Sequence, residues 1–286
     1  MTFGSRRWMA SAGGAVAAGS LVLITQGSAL AAPAAGPARH VPGSTYTPVH
    51  RTLKFGMHGK AVKALQQRLR YLHYFAGKAD GKFGWDTQEG VWAFKEVQTG
   101  KIVPPHPNRV DAQTQRWLVH PKRPRVLFPH RASWRVEVNK YIEVLTVYKN
   151  NKLILITHVS SAAYCRGPHL TSCGWFTPYG TYSTEAYIPG KVADRSFGTS
   201  YMYWPVFFIG YTYAIHGFPN PIWGNRWYGV PLKPASHGCI RIPYDLSKYF
   251  HTLVHVSPTD GTPVYIYPDY GPPGPQIRRL GPFEGS

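Results

Sequence analysis

The sequence predicts an α+β protein: a small three-helix bundle followed by a mostly antiparallel domain of the β-sandwich or barrel type. Apolar residues recur at helical spacing from Val62 to Leu72. Beyond about residue 130 the pattern changes to alternation, and the β-branched runs Tyr141–Tyr148 and Leu153–Thr157 flank Asn150-Asn151, a pair typical of a tight hairpin turn. A chain of 286 residues has room for one large or two modest domains.

The N-terminus has the form of a secretory signal peptide. Arg6-Arg7 precede an apolar, Ala/Gly-rich run from Trp8 to Ile24, and Ala29-Leu30-Ala31 form an A-x-A cleavage signal. A membrane anchor is the alternative, but the run is short and interrupted by glycine. We therefore expect residues 1–31 to direct export, by the Sec or the twin-arginine route.

The chain carries a net charge of +19, spread over scattered lysines and arginines. A diffuse positive surface favours polyanionic partners, namely nucleic acid, anionic lipid or an acidic wall polymer. Export argues against nucleic acid and leaves anionic wall polymers as candidate partners.

The remaining chain divides by composition into linkers and two folded parts. The segments are a flexible Ala/Pro/Gly/Ser-rich linker at 32–48, a helical part at 49–120, a Pro-rich connector at 121–130, a β-rich part at 131–268 and a Pro/Gly-rich tail at 269–286. In the helical part, Asp86 and Glu89 have the spacing of a capping box at the start of a second helix.

The helical part resembles the peptidoglycan-binding domain of the three-helix type. The motifs that carry the resemblance are Leu53-Lys54-Phe55-Gly56, Gly59, Val62, Leu65-Gln66, Leu69, Leu72, Asp80-Gly81-Lys82-Phe83-Gly84, Thr87, Val91 and Phe94. The sequence departs from the family at Gly90, where Ala is common, and at Lys95, where Gln is usual. The resemblance implies a module that recruits the protein to the cell wall.

The chain has three cysteines, Cys165, Cys173 and Cys239. In an exported protein an even pair tends to close, and a loop-like sequence separates Cys165 from Cys173, so we expect a disulfide between them. Cys239 is left as a thiol that is either reactive or joined to a second chain.

Cys239 lies in the stretch Ser236-His237-Gly238-Cys239-Ile240-Arg241, and Ile215-His216-Gly217 lies upstream. A nearby imidazole can take the thiol proton and hold the thiolate as half of an ion pair, which suggests nucleophilic catalysis. The alternative is a small buried cysteine with unrelated histidines. Neither H-E-x-x-H nor paired Cys-x-x-Cys spacing occurs, so we predict no metal and no cofactor.

These motifs, with Thr177-Pro178-Tyr179-Gly180-Thr181-Tyr182 before them, resemble the L,D-transpeptidase (YkuD-type) catalytic domain from Trp134 to about Tyr267. The resemblance implies that Cys239 is the nucleophile and that His216 is the base that activates it. A backbone carbonyl near Gly217 is expected to orient the imidazole ring. The backbone N–H groups of His237, Gly238 and Cys239 are candidates for an oxyanion hole, because glycine allows close approach.

Other residues of the motif have two possible roles each. His237 either packs and bonds to hold the loop or takes part in the reaction, so its division of labour with His216 is open. Arg241 either positions a substrate carboxylate or fixes the loop, with Asp245 as its candidate partner. Ser236 is expected to form local hydrogen bonds.

A long loop at 218–234 precedes the motif and contains Trp223 and Trp227. It is either a lid or substrate wall, or its aromatic side chains belong to the core.

The resemblance implies an exported cysteine L,D-transpeptidase that forms 3→3 peptidoglycan cross-links through a Cys239 acyl-enzyme and so serves wall biogenesis and cell shape. Hydrolysis at the same site, of the L,D-carboxypeptidase or endopeptidase type, is an alternative, as is a non-catalytic wall-binding protein. The expected partners are the stem peptides and glycan of peptidoglycan, at the cell wall or the outer face of the bacterial envelope. We expect a monomer.

Overall fold

The computed structural model describes residues 43–128, 131–162, 176–193, 201–218 and 229–267, all of which belong to one compact unit. None of the helices within these ranges has the length and hydropathy that a membrane span requires. Several sequence predictions fall outside the described residues: the signal peptide, the Cys165–Cys173 disulfide, the tryptophans Trp223 and Trp227, and the C-terminal tail.

The helical part contains helices α1 (Lys60–Tyr71), α2 (Trp85–Thr99) and α3 (Ala112–Val119) and a ladder of strands β1 (Leu53–Lys54) and β2 (Arg109–Val110). The predicted apolar face of α1 is confirmed, because Val62, Leu65 and Leu69 are buried in one cluster with residues of α2 and α3. The Asp111 side chain caps α3 by accepting a hydrogen bond from the Thr114 N–H at 2.9 Å.

The predicted capping box of α2 is wrong. Gly84, which has no side chain to cap with, occupies the N-cap position in an extended conformation, and Asp86 lies in the first turn. Glu89 is buried, and its carboxylate accepts a hydrogen bond from the Val230 N–H, far along the chain. The spacing matched a capping box, but tertiary contact decides where the Glu89 side chain points.

Packing explains both departures from the peptidoglycan-binding pattern. A Cβ atom at Gly90 would lie 2.6 Å from the Phe75 carbonyl oxygen and 2.9 Å from the Ala76 Cβ, so this close approach requires glycine. Lys95 is buried, and its Nζ donates hydrogen bonds to the carbonyl oxygens of Pro105, His106 and Arg109 at 3.0, 2.5 and 2.8 Å. Lys95 therefore braces the loop that precedes β2.

The second part of the chain is rich in strands. In chain order they are β3 (Arg135–Asn139), β4 (Val144–Lys149), β5 (Lys152–His158), β6 (Gly180–Ser183), β7 (Ala186–Tyr187), β8 (Lys191–Ala193), β9 (Tyr201–Ile209), β10 (Tyr213–Gly217), β11 (Ile240–Ile242) and β12 (Pro263–Tyr267), with helix α4 (Tyr244–Phe250) between β11 and β12. The first sheet has the order β5-β4-β3-β12-β6 and the second the order β11-β10-β9-β7, with β8 also paired to β9. The pairs β3–β12 and β10–β11 are parallel and the others antiparallel.

The predicted α+β class is confirmed, whereas the finer terms bundle and sandwich stay predictions. One hydrophobic cluster draws side chains from both sheets, for example Val138 and Val147 from the first and Phe208 and Ile240 from the second. The predicted hairpin is also confirmed, because Asn150-Asn151 join β4 to β5 with positive φ angles of 51° and 57°.

The helical part and the first sheet share both backbone bonds and a core. The Phe75 N–H donates to the Ile156 carbonyl and the Ile156 N–H to the His73 carbonyl, each at 2.8 Å, so residues 73–75 continue the sheet beyond β5. Val144 and Ile156 of the sheet are buried in the cluster of the helical part. The two parts are therefore packed as one body where they meet.

Candidate active site

Cys239 lies immediately before β11, where its sulfur meets the backbone of the neighbouring strand. The Ala214 N–H donates to Sγ at 3.4 Å, and Sγ lies 3.8 Å from the Thr212 carbonyl oxygen. An N–H directed at sulfur stabilises negative charge on it. The side chain is partly exposed, so a substrate can approach it.

His216 lies on the same face of the sheet as Cys239. The parallel pair β10–β11 aligns Ile215 with Ile240 and His216 with Arg241, so that one step earlier Ala214 lies beside Cys239. Side chains two residues apart on a strand share a face, and the register therefore puts His216 and Cys239 on the same face of the sheet. Residues far apart in the sequence are thus joined by strand pairing.

The His216 ring is held by the backbone. Its Nδ1 lies 2.7 Å from the Gly217 carbonyl oxygen, the kind of partner that the sequence predicted near Gly217. Because a carbonyl oxygen only accepts hydrogen bonds, Nδ1 carries the proton, and in the neutral ring Nε2 is left as the proton acceptor.

The environment of His216 keeps it neutral. Burial, together with the nearby charge of Arg241, lowers the pKa of His216 to about 3, although the bond to Gly217 opposes the shift. The sequence interpretation of a thiolate and an imidazolium paired at rest is therefore not favoured. The site instead presents a neutral imidazole to the thiol.

Ser236 braces the turn that carries Cys239. Its Oγ donates to the Cys239 carbonyl oxygen at 2.5 Å and accepts from the Gly238 N–H at 3.1 Å, in agreement with the predicted local bonding. The Gly238 amide is thus engaged within the turn, which weakens its candidacy for an oxyanion hole. That role stays a prediction for the amides of His237 and Cys239, and the His237 side chain is exposed.

Gly238 permits the shape of the turn. Its φ is +140°, and a Cβ atom there would lie 2.3 Å from Cε1 of Tyr213 and 3.3 Å from the Phe176 carbonyl oxygen. The neighbouring Gly217 is similarly crowded, because a Cβ would come within 2.3 Å of Ser247 Oγ. Glycine is therefore needed at both positions for steric reasons.

Thr177 supports the turn through hydrogen bonds, a role that the sequence reasoning missed. Its buried Oγ1 donates to the Gly238 carbonyl oxygen at 2.7 Å and accepts from the Ala162 N–H at 2.8 Å. Its own carbonyl oxygen accepts from Lys140 Nζ at 2.8 Å. The only signal in the sequence was its place at the start of the Thr177–Tyr182 motif.

Arg241 holds the loop in this structure. Its Nη1 donates to the Ala235 carbonyl oxygen at 2.7 Å, and its guanidinium lies 4.9 Å from the centre of the Phe218 ring. Asp245, the partner suggested from the sequence, instead forms an ion pair with Lys248 at 2.6 Å. These contacts favour the loop-fixing role over the binding of a substrate carboxylate.

Two protein-family models match the chain. Residues 133–266 match the family model of the L,D-transpeptidase catalytic domain, YkuD, and residues 58–99 match that of the putative peptidoglycan binding domain. The second part of the chain thus matches the YkuD family model, and we refer to it as the YkuD domain. The helical part matches the peptidoglycan-binding model, so both resemblances seen in the sequence are confirmed.

The chain is similar to solved structures of L,D-transpeptidases. A crystal structure of an L,D-transpeptidase from Xylanimonas cellulosilytica DSM 15894 is 29% identical, covers 77% of this chain and 100% of that one, and gives a TM-score of 0.59. An L,D-transpeptidase from Stackebrandtia nassauensis is 18% identical over 79% of this chain and 98% of that one, with a TM-score of 0.40. One from Mycobacterium smegmatis is 19% identical over 48% of this chain and 59% of that one, with a TM-score of 0.35.

The last two likenesses are too distant to carry an argument, and the first supports the α+β fold and the family. Among curated proteins, none matches the sequence.

Proposed function

We propose that the protein is an exported L,D-transpeptidase that forms 3→3 cross-links in peptidoglycan through an acyl-enzyme on Cys239. The observation that supports this most is the register of β10 and β11, which sets the thiol of Cys239 on one face with the neutral His216. The bond from Nδ1 to the Gly217 carbonyl directs the basic Nε2 away from the backbone.

In the first half-reaction, His216 Nε2 takes the thiol proton as Sγ attacks the carbonyl carbon of the donor stem amide. Because the imidazole is weakly basic, we expect proton transfer to accompany the attack rather than precede it. The C–N bond then breaks, the leaving amine receives the proton from Nε2, and the acyl group remains on sulfur as a thioester. The amides of His237 and Cys239 are the proposed donors to the oxyanion.

In the second half-reaction, the side-chain amine of a neighbouring stem attacks the thioester carbonyl and gives a proton to Nε2. The C–S bond breaks, and Sγ recovers the proton as the thiol. The donor amide supplies the energy of the new amide, so the exchange requires no nucleotide. Water in place of the amine would give hydrolysis at the same site.

We propose that the helical part binds the wall. A cleft of about 530 Å³ opens between this part and the YkuD domain, where the rings of Trp85 and Tyr244 lie with the polar side chains of Gln66 and Asp86. Aromatic faces and hydrogen-bonding groups of this kind suit the glycan or peptide of peptidoglycan. The positive charge of +19 adds attraction to anionic wall polymers.

Incubation of the mature protein with a disaccharide-tetrapeptide, followed by mass spectrometry, tests the reaction. Dimers with a 3→3 link support transfer. Tripeptide without dimers would show that the enzyme hydrolyses its substrate instead. Cys239→Ala should lose the covalent adduct while it keeps the fold by circular dichroism. An adduct that persists in Cys239→Ala would contradict the assigned nucleophile, and no turnover or adduct in wild type would contradict both enzymatic functions.

Because we propose that the protein is exported, and disulfides form in oxidising compartments, we also propose the disulfide between Cys165 and Cys173. A thiol titration of the unfolded, unreduced mature protein should detect one thiol per chain, that of Cys239. Three thiols would contradict the disulfide.

A further inference from the structure

Helix α2 of the peptidoglycan-binding part directs two buried carboxyl groups toward the YkuD domain. Glu89 and Glu96 are both buried and lie seven positions apart, two helical turns, so they occupy one face of α2 about 10.5 Å apart along its axis. The segment that they reach, residues 229–236, leads directly into the turn that carries Cys239. We refer to it as the approach segment.

Glu89 binds the start of the approach segment. Its Oε1 accepts a hydrogen bond from the buried Val230 N–H at 2.5 Å. At Gly229 a Cβ atom would lie 2.8 Å from Trp85 Cε3 and 3.2 Å from Glu89 Oε1, so the first turn of α2 packs directly on this backbone. Loss of the carboxylate would leave a buried N–H without its acceptor.

Glu96 reaches the next residue through a histidine of the YkuD domain. His158 Nδ1 is hydrogen-bonded to Glu96 Oε2 at 3.1 Å, and Nε2 lies 3.0 Å from the Pro231 carbonyl oxygen. Since that carbonyl only accepts, Nε2 carries a proton, and one further proton joins Nδ1 to the carboxylate. Burial lowers the pKa of His158, but the charge of Glu96 and the two hydrogen bonds outweigh burial and raise it to about 9.

The rest of the approach segment is held from within the YkuD domain. Ser160 Oγ donates to the Lys233 carbonyl oxygen at 2.8 Å, and the Ala235 N–H donates to the Ser161 carbonyl oxygen at 2.9 Å. The Ser161 hydroxyl in turn donates to the buried Glu143 carboxylate at 2.6 Å. The support is thus continuous from Gly229 to Ser236, and its first two links come from helix α2.

We propose that Glu89 and Glu96 are positioning residues for the reaction of Cys239, acting through the approach segment. The peptidoglycan-binding part would then hold the nucleophile in register with His216 as well as recruit the enzyme. The effect on acyl transfer rests on the proposed function, whereas the effect on the reactivity of the Cys239 thiol does not.

Glu89 offers a graded set of variants for the test. Glu89→Ala removes the acceptor, Glu89→Asp withdraws it by one methylene, and Glu89→Gln retains an oxygen that can accept from the Val230 N–H. Gln88→Ala is the matched control, because Gln88 is equally buried on α2 but bonds within its own part, to the Pro107 carbonyl oxygen at 3.3 Å. All are made in the full mature chain.

Two rates are measured beside the melting temperature. One is alkylation of Cys239 by iodoacetamide, followed by peptide mass spectrometry, and the other is acyl transfer, resolved into kcat and KM. We expect Glu89→Ala and Glu89→Asp to slow alkylation and to lower kcat by about tenfold or more with KM changed less than about twofold, since small misplacements of a reacting group are costly. Glu89→Gln should restore both rates to within about threefold of wild type, whereas Gln88→Ala should lower the melting temperature without slowing alkylation.

The proposal is overturned if Glu89→Ala and Glu89→Asp alkylate at the wild-type rate, or if Gln88→Ala slows alkylation as much as they do. If Glu89→Ala does not fold, Glu89→Asp and Glu89→Gln decide between the outcomes by the same comparison. Slowed alkylation in a protein whose wild type transfers no acyl group would contradict the proposed function and leave this inference standing.

Discussion

Thr177 Oγ1 donates a hydrogen bond to the carbonyl oxygen of Gly238 at 2.7 Å, and so holds the residue just before Cys239. Thr177→Val keeps the shape of the side chain but leaves the Gly238 carbonyl and the Ala162 N–H without this partner. We expect it to cost roughly 1–3 kcal/mol for each unsatisfied buried group. The rate of Cys239 acylation should fall at least about tenfold as the turn shifts, and Thr177→Ser should retain most of it.

Thr114→Val provides the control for that experiment. Thr114 is also buried, and its Oγ1 donates to Asp111 Oδ1 at 2.7 Å at the start of α3. The variant should unfold at lower urea concentration with acylation unchanged. Equal rates for Thr177→Val and wild type would contradict the supporting role of Thr177.

Gly238→Ala should be more damaging than a glycine replacement elsewhere. The added Cβ meets the Tyr213 ring at 2.3 Å, and a φ of +140° is strained for any L side chain. We expect Gly238→Ala to lower the acylation rate at least several-fold or to abolish acylation, and to lower the melting temperature. Gly100→Ala is the control, since Gly100 ends α2 with a φ of +69° and open space around it, and it should cost about 1 kcal/mol of stability without loss of rate. Similar rates in both variants would contradict the steric argument.

The lowered pKa of His216 predicts that the protein loses stability in acid. The pKa of His216 is about 3 in the folded chain, against 6.5 for the free, solvent-exposed side chain. Between these values the unfolded chain binds a proton that the folded chain does not. The free energy of unfolding should therefore fall as the pH is lowered from about 6.5 toward 3, by about 1.4 kcal/mol per pH unit from this group.

Urea unfolding of wild type and His216→Gln between pH 7 and 4.5 measures this contribution. His216→Gln should lose acylation, and its stability should depend less steeply on pH. Parallel curves for the two proteins would show that His216 is not held neutral by burial.

The raised pKa of Glu89 predicts the opposite pH dependence, a loss of stability as the pH rises. Burial raises its pKa to about 8 from an ordinary 4.5, so the folded chain keeps a proton that the unfolded chain releases. This contribution to stability is fully present below pH 4.5 and is lost as the pH rises through about 8. The stability of Glu89→Gln relative to wild type should therefore increase from pH 4.5 to 8, by about 1.4 kcal/mol per unit. A constant difference between the two proteins across this range of pH would contradict the raised pKa.

Much of the fold could be predicted from local sequence patterns. The apolar spacing of α1 and the Asn150-Asn151 turn depend on neighbours within a few residues, so both were predictable. The capping box of α2 failed for the converse reason. Glu89 bonds to Val230, 141 positions away, and no local pattern records a contact across that distance.

The candidate site, too, was predictable only where its residues are close together in the sequence. The Ser236–Arg241 motif and the His216-Gly217 pair were visible in the sequence, because each group is short and contiguous. Their register across β10 and β11 required a parallel pair, and the sequence interpretation of a mostly antiparallel domain did not say which strands would form one. Thr177 was likewise visible as a motif residue, but its bond to Gly238 joins positions 61 residues apart.

The backbone bonds between Phe75, Ile156 and His73 have a practical consequence. Strand β5 ends its sheet, and residues 73–75 occupy the hydrogen-bonding groups that this end would otherwise present. A YkuD domain expressed alone from residue 131 would expose an open strand edge and the apolar Val144 and Ile156, features that promote association between chains. The helical part therefore also shields the domain from aggregation, and we expect that it cannot be exchanged for another domain unless the replacement covers β5.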